Sequence, residues 1–507
     1  MRQCFLGIDN GGTVTKAVIS DAEGKVVASA SRRVPLIVPK PGFTERDMAV
    51  LWQANIEVIR ESLSLAGIEA GEILGIACTG HGKGLYLWGR DGQPAYNGIV
   101  STDSRAWSYP EKWERDGTAA KVFAKTCQRI LACQPVSLLC WMRDHEPEVL
   151  ERIRWIFEAK DYIRFRITGE AFAEITDYSG SNLLNILESR FDRELLGYFG
   201  LGQIMEMLPP LRLSTDRCGA VTAEVAAATG LLEGTPVAGG MFDIDACAIA
   251  MDITDEENLC VIAGTWSINE YISTQPVLDG SVMMNSLFCL PGYYLIEECS
   301  PTSAGNYEWF CNLFLEAERR EAEERGLSLY ELAGEMAATV APDGQDIVFL
   351  PYIYGSNYDP RARASFVGLS SAHSRAQVIR AVMEGIVFCH LVHVEKLLAH
   401  REHTAAVRLA GGAANSRVWV RIFADVFCLP VEIVDVPELG TLGCAMAAAV
   451  ASGFHADLKA AAKHMMKIKY RQEPDPSNAA IYKRKYALYR KVSAALEGLW
   501  KDFPEGE

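Results

Sequence analysis

The sequence predicts an α/β protein built as two similar halves with a cleft between them. Three observations support this. The chain has 507 residues, too many for one ordinary core, so two large domains are expected. Leu6-Gly7-Ile8-Asp9-Asn10-Gly11-Gly12-Thr13 and Leu259-Cys260-Val261-Ile262-Ala263-Gly264-Thr265 both read as a strand running into a Gly/Thr turn. One such device opening each half indicates duplicated α/β domains. No Gly/Ser/Pro-rich linker separates the halves, and the acidic interruption at 252–258 marks the boundary, giving domains 1–254 and 255–507.

The elements follow in order. Residues 5–9 read as a strand, 10–13 as a turn, and 15–20 as a second strand; a further turn at 21–25 precedes Val26-Val27. A helix is expected over 48–66, with Leu51, Ile56, Ile59 and Leu63 near one face and Asp47 as its N-cap. Residues 73–78 form a strand, and 119–199 read as mostly helical. In the second half, 259–263 and 267–273 repeat the opening hairpin. The charged run 316–325 is a solvated helical face. Residues 407–410 form a strand ending in Gly411-Gly412, and a helix starts near Ser416. A short strand at 431–434, a small-residue helix at 440–452 that can pack closely, and a charged amphipathic helix at 478–500 complete the chain.

Composition narrows the function classes. The net charge is −16, which argues against a nucleic-acid or anionic-membrane partner, because nothing offsets phosphate repulsion. No apolar run reaches the roughly 18 residues of a membrane span. The N-terminus enters a strand at once, so no secretory leader is expected. The 14 cysteines show no zinc-type spacing and read as reduced core thiols of a cytoplasmic protein.

Four segments carry the chemistry. The Gly/Thr hairpins offer backbone N–H groups and a hydroxyl to phosphate without side-chain bulk. This makes Thr13, Thr15, Gly264 and Thr265 candidate phosphate contacts, with Lys16 facing the same space. Asp9, ending the strand before the first turn, can hold Mg²⁺ through water. In Gly239-Gly240-Met241-Phe242-Asp243-Ile244-Asp245 a strand ends at glycines and an Asp opens a helix. Asp243 can take a proton from an acceptor hydroxyl, but Asp243 or Asp245 can equally cap the helix, and spacing alone favours the cap. Gly411, Gly412 and Asn415 lie in a strand–helix turn that can seat a nucleotide base or ribose on backbone. Finally, the loop 78–84 displays His81, Gly82 and Lys83, and Asp103 stands near Arg105; these are donors and acceptors for sugar oxygens, or else an ordinary hairpin and an ion pair.

Taken in this order, the segments resemble the FGGY family of carbohydrate kinases over roughly residues 3–455. Gly7–Lys16 is similar to the family's first phosphate loop, Gly264-Thr265 to its second, and 411–416 to its adenosine loop. Gly240-Met241-Phe242-Asp243 matches the segment carrying the family's catalytic Asp, which moves Asp243 from cap to base without excluding both. Residues 364–369 and 377–384 fit the C-terminal signature throughout. In the N-terminal signature at 135–142, Leu138 replaces the usual Lys. Within the family, 45–49, 82–85, 300–310 and 354–357 are most similar to L-xylulose/3-keto-L-gulonate kinases, and the cation at Lys83 suits either a keto-acid carboxylate or a hydroxyl.

The resemblance implies two actin-like, ribonuclease H-like domains, with ATP·Mg²⁺ mainly on the C-terminal half and the sugar mainly on the N-terminal half. A homodimer is implied as an open possibility. The implied reaction is transfer of the γ-phosphoryl of ATP to a hydroxyl of a small ketose, L-xylulose or 3-keto-L-gulonate. The alternatives are another polyol or ketose kinase (erythritol, ribulose or D-xylulose) and a non-catalytic sugar or nucleotide sensor. If Asp243 is the base, Asp243→Asn should lower turnover on the order of 10²-fold or more. Steady-state rates of Asp243→Asn and Asp245→Asn decide between the two carboxylates: near-normal turnover of the first with loss in the second reverses the assignment.

Overall fold

The computed structural model describes residues 2–357 and 359–503. Two mixed sheets organise it. The first has six strands in the order Arg217–Ala220, Pro236–Ala238, Ile73–Gly80, Cys4–Asn10, Val14–Asp21, Val26–Arg33. The second has seven, in the order Met284–Leu287, Tyr294–Ser300, Ser267–Ser273, Asn258–Ala263, Ala406–Ala410, Val431–Val434, Ile468–Gln472. In each sheet the strand that leads into the Gly/Thr turn is central. It pairs antiparallel with its hairpin partner on one side and parallel with the next strand on the other. Beyond these, both sheets add one more antiparallel strand outside the hairpin, one more parallel strand, and an antiparallel edge strand. The repeat seen as a short sequence motif is therefore a repeat of six-strand topology, to which the second sheet adds the edge strand Met284–Leu287.

The local expectations explain the elements. Asp47 caps the Met48–Ala66 helix by accepting from the N–H groups of Ala49 and Val50 at 2.7 and 2.9 Å, and Gly67 ends it in the left-handed region. The 316–325 run is a helix with mostly exposed residues. The 119–199 stretch is less uniform than its composition suggests. Its helices are interrupted by Ile153–Phe157, which pairs with Tyr86–Gly89, and by short pairings at 173–174, 184–185 and 190–191. These strands are too short, and too dependent on distant partners, to leave a clear alternating pattern in sequence.

Cores lie on both sides of each sheet. One helix, Arg375–Leu398, is long and apolar enough to cross a membrane, but 83% of its most apolar window is buried inside the protein. It is the central core helix of the second half, where Ile379, Met383, Ile386 and Val394 pack against Leu259, Val261 and Leu409 of the second sheet.

The small-residue helix Leu439–Ala451 lies between two strands of the second sheet in sequence, Val431–Val434 and Ile468–Gln472, but packs on the first sheet, against the strands Cys4–Asn10 and Ile73–Gly80 and the helix Asp243–Ala250. Leu442, Cys444, Ala445, Met446 and Ala448 share a core with Phe5, Ala77, Ile244 and Ala246. At Gly443 the two helices come so close that a Cβ would stand 2.3 Å from the Ala246 carbonyl oxygen. Gly443→Val should therefore push the helices apart and cost about 2 kcal/mol or more, read as a lower denaturant midpoint than that of the wild type.

Candidate functional site

The first phosphate-type hairpin is formed as expected, with Asp9 opposite Lys16 and Asn10 opposite Thr15. Arg46, wholly buried, donates from Nη2 to the Gly11 carbonyl at 3.1 Å and also to that of Gly12. The turn's carbonyls are thus held from behind. Among the described residues the N–H groups of Gly11, Gly12 and Thr13 have no hydrogen-bond partner, the state in which a turn can receive an anion. Thr13 is exposed at its tip.

Two residues of this hairpin depart from expectation. Thr15 is wholly buried, and its hydroxyl donates to Asn10 Oδ1 at 2.9 Å and lies 3.3 Å from Asn55 Oδ1. The pleat turns it into the core, so it is not a phosphate contact. Lys16 faces the site, but its ammonium is bound to Glu438 Oε2 at 2.6 Å. Asp9, half-buried, accepts no hydrogen bond among the described residues. Burial pushes its pKa up to about 6, with Lys16 opposing and Glu438 adding to the rise. Gly440 stands beside its carboxylate, where a Cβ would be 3.5 Å from Oδ2.

The second hairpin and the 411–416 turn come together. Gly264, Thr265, Gly412 and Asn415 line one cleft of about 960 Å³, closed on its other sides by Gly305, Tyr330 and Glu331. Gly412–Asn415 is a single 3₁₀ turn, and Ser416 caps the following helix Arg417–Phe427. Backbone and small side chains floor this cleft, and Tyr307 and Tyr330 add flat apolar surface, a combination suited to a nucleotide.

Asp243 begins the helix Asp243–Ala250, whose N-cap position is Phe242. Neither Asp caps it through its side chain. Asp245 is buried and accepts from the Cys289 N–H at 2.9 Å, while Asp243 is half-buried. The turn that presents Asp243 is clamped from several sides. Gly240 has φ 79° and packs so tightly on the Cys78 carbonyl that no side chain fits. The Thr79 hydroxyl donates to Met241 O at 2.8 Å. The Phe242 N–H donates to Thr176 Oγ1 at 2.9 Å, and that hydroxyl donates on to Glu174 Oε2 at 2.7 Å. Glu174 is itself held by Ser214 and Lys160. Burial raises the Asp243 pKa well above the carboxylate range. Asp9 and Asp177 raise it further, while Lys83 and the Ile244 N–H pull it down.

The loop bearing His81, Gly82 and Lys83 lies beside this turn. Gly82 rests directly on the Phe242 ring, and Lys83 Nζ lies 5.6 Å from that ring's centre. His81 is buried, with Nε2 2.9 Å from the Tyr86 hydroxyl and Nδ1 3.4 Å from the Gly82 carbonyl. Burial first, then Arg46, holds its pKa down at about 3, so it is a neutral, internally satisfied group and not a free sugar ligand. Asp103 is likewise withdrawn. Its carboxylate is inaccessible, pairs with Arg105 at 2.8 Å and accepts the Thr44 N–H at 2.7 Å, while Arg105 also binds Glu45. A buried guanidinium needs this much carboxylate around it, which leaves Asp103 nothing to offer a sugar.

Arg46, Thr176, Glu174 and Asp177 had no functional reading in the sequence. Arg46 carried a signal only as part of the segment 45–49. Thr176 and Asp177 sit in a helix of five residues, Ile175–Ser179, whose approach to Asp243 is a tertiary fact.

Comparison with known proteins agrees with this geometry. Residues 4–250 match the N-terminal domain of the FGGY family of carbohydrate kinases, and residues 259–452 match its C-terminal domain. The L-xylulose/3-keto-L-gulonate kinase of Escherichia coli is 35% identical, with 98% of each chain covered. Two Lactobacillus acidophilus structures, one described as a gluconate kinase and one as a ligand-bound xylulose kinase, superpose with a TM-score of 0.89 at 26% identity, covering 99% of this chain and 100% of theirs. With both domain matches in sequence order and the actin-like two-domain fold in place, the chain belongs to the FGGY family of carbohydrate kinases.

Proposed function

We propose that this ATP-dependent sugar kinase phosphorylates a small ketose, L-xylulose or 3-keto-L-gulonate, at a terminal hydroxyl, with Asp243 as the base. The carrying observation is the position of Asp243 between the two halves of the chemistry. Its turn packs against the loop that carries Lys83, with Gly82 on the Phe242 ring, and its helix packs on Leu439–Ala451, whose Gly440 stands beside Asp9. In this reading a hydroxyl at Asp243 meets a phosphoryl group held at the hairpins.

In this reading the nucleotide occupies the cleft at Gly264, Thr265, Gly412 and Asn415, on the half 255–507. The sugar lies against Gly82, Lys83 and Asp243 on the half 1–254. The N–H groups of Gly11–Thr13 and the Thr13 hydroxyl receive phosphate oxygens. Asp9 fits Mg²⁺, because a half-buried carboxylate with no protein hydrogen bond among the described residues can accept a hydrated ion. When bound, the ion neutralises phosphate charge. Asp243 orients the acceptor hydroxyl and takes its proton at a carboxylate oxygen. Lys83 and the Ile244 N–H, which oppose the effect of burial, favour the ionised form that can take the proton. Closing the halves removes water that would otherwise compete as acceptor.

The deciding experiment is ADP release with a panel of ketoses and polyols that includes L-xylulose, 3-keto-L-gulonate, D-xylulose, ribulose and erythritol. Highest kcat/KM for one of the first two is expected, and a clear preference for another member overturns the substrate assignment. A second outcome concerns positioning. Thr176→Val removes the acceptor of the Phe242 N–H and should cut kcat about tenfold, since small displacements of a reacting group are costly. Nucleotide affinity should be unchanged, and Thr176→Ser should restore most of the rate.

A further inference from the structure

Two side chains near the sugar position, one from each half, have polar ends that the protein satisfies only in part. Lys83 is held in the left-handed region, φ 63°, by its N–H donating to Glu158 Oε2 at 2.9 Å. Its ammonium makes no hydrogen bond or ion pair among the described residues and reaches over the Phe242 ring. The second side chain comes from the other half. On the antiparallel pair Ser267–Ser273 and Tyr294–Ser300, Glu297 stands directly opposite Glu270, so both project from one face of the sheet.

Their neighbours fix which face that is. Ile272 and Leu295, two residues along on the same side, pack in the core that contains Phe242, Ile244 and Ala246. Tyr271 and Ile296, on the opposite side, belong to the core of the Arg375–Leu398 helix. Glu297 therefore faces the helix that begins at Asp243. Glu270 is engaged by the Cys260 thiol at 3.1 Å, and burial, with Glu297 adding, pushes its pKa up, which favours its neutral acid. Glu297 is only 3% exposed; the Cys299 thiol is in hydrogen-bonding contact with its carboxyl, and its Oε2 is left without a partner. Burial lowers the pKa of Lys83, but the net shift is upward, with Glu297 the largest contributor, ahead of Cys299, Cys133 and Asp243.

We propose that Glu297 is a specificity-determining residue of the sugar site: set against Lys83 from the other half, it suits the site to an uncharged ketose and not to its carboxylated counterpart. This inference rests on the kinase reading above and narrows its substrate class. A sugar hydroxyl can accept from the Lys83 ammonium and donate to the Glu297 carboxylate at once. A substrate carboxylate drawn to Lys83 would meet the acceptor oxygens of Glu297 in a poorly solvated space, which disfavours binding. Because the fold serves kinases of both neutral and acidic sugars, the choice falls to side chains such as these.

The test compares kcat/KM for L-xylulose and 3-keto-L-gulonate in the wild type and in Glu297→Gln, which keeps the shape and removes the charge. The wild type should prefer L-xylulose by tenfold or more, and the variant should shift the ratio at least tenfold toward the keto acid. Wild-type activity on 3-keto-L-gulonate equal to or above that on L-xylulose overturns the inference while leaving the kinase reading intact. So does an unchanged ratio in the variant. Turnover of neither sugar by the wild type defeats the substrate assignment and the inference together. The wild-type ratio decides even if the variant does not fold.

Discussion

The structure depends on one contact, the seating of the helix Leu439–Ala451 on the first sheet. Small residues let its backbone approach the strands and the helix beneath it, so its position is fixed by van der Waals contact with little tolerance. Three parts of the site refer to it. Glu438, just before it, holds Lys16 of the phosphate hairpin. Gly440 stands beside the Asp9 carboxylate, and Gly443 touches the helix that carries Asp243. A carboxylate that must face phosphate and one that must face a hydroxyl are thus referenced to a single rigid body.

Charge is arranged with the same economy. Several carboxylates converge on the cleft, and burial raises the proton affinity of Asp9, Asp177 and Asp243. Without a ligand such a cluster is unfavourable. Lys83, Lys16 and buried Lys160 offset it in part, and Lys160 lies within 3.4 Å of Asp161, Glu174 and Asp177. The remaining imbalance favours a cation with its nucleotide on one side and a hydroxyl donor on the other.

Much of this could be read before the structure, for local reasons. The hairpins, the Asp47 cap and the Gly-rich turns are set by short-range chemistry, and the doubled hairpin disclosed the doubled sheet. Asp243 was legible as a candidate but not separable from a cap, because that distinction lies in which amide the carboxylate reaches. Thr15, His81 and Asp103 were misjudged for one common reason. A polar residue beside a turn looks available in sequence, whereas strand pleat and a partner such as Asn10, Tyr86 or Arg105 decide whether it is. Thr176 and Glu297 left no trace, and Arg46 only a family signal, because their partners are remote in the chain.

The docking of Leu439–Ala451 also bears on how the chain reaches this state. Lys16 and Glu438 are bound to each other across 422 positions of sequence. Until the end of the second half has formed, the first sheet lacks the helix that covers its apolar strands Cys4–Asn10 and Ile73–Gly80. Such closure is slow and leaves sticky surface open in the meantime. The first half therefore does not cover those strands by itself; residues 439–451, far along the chain, do so.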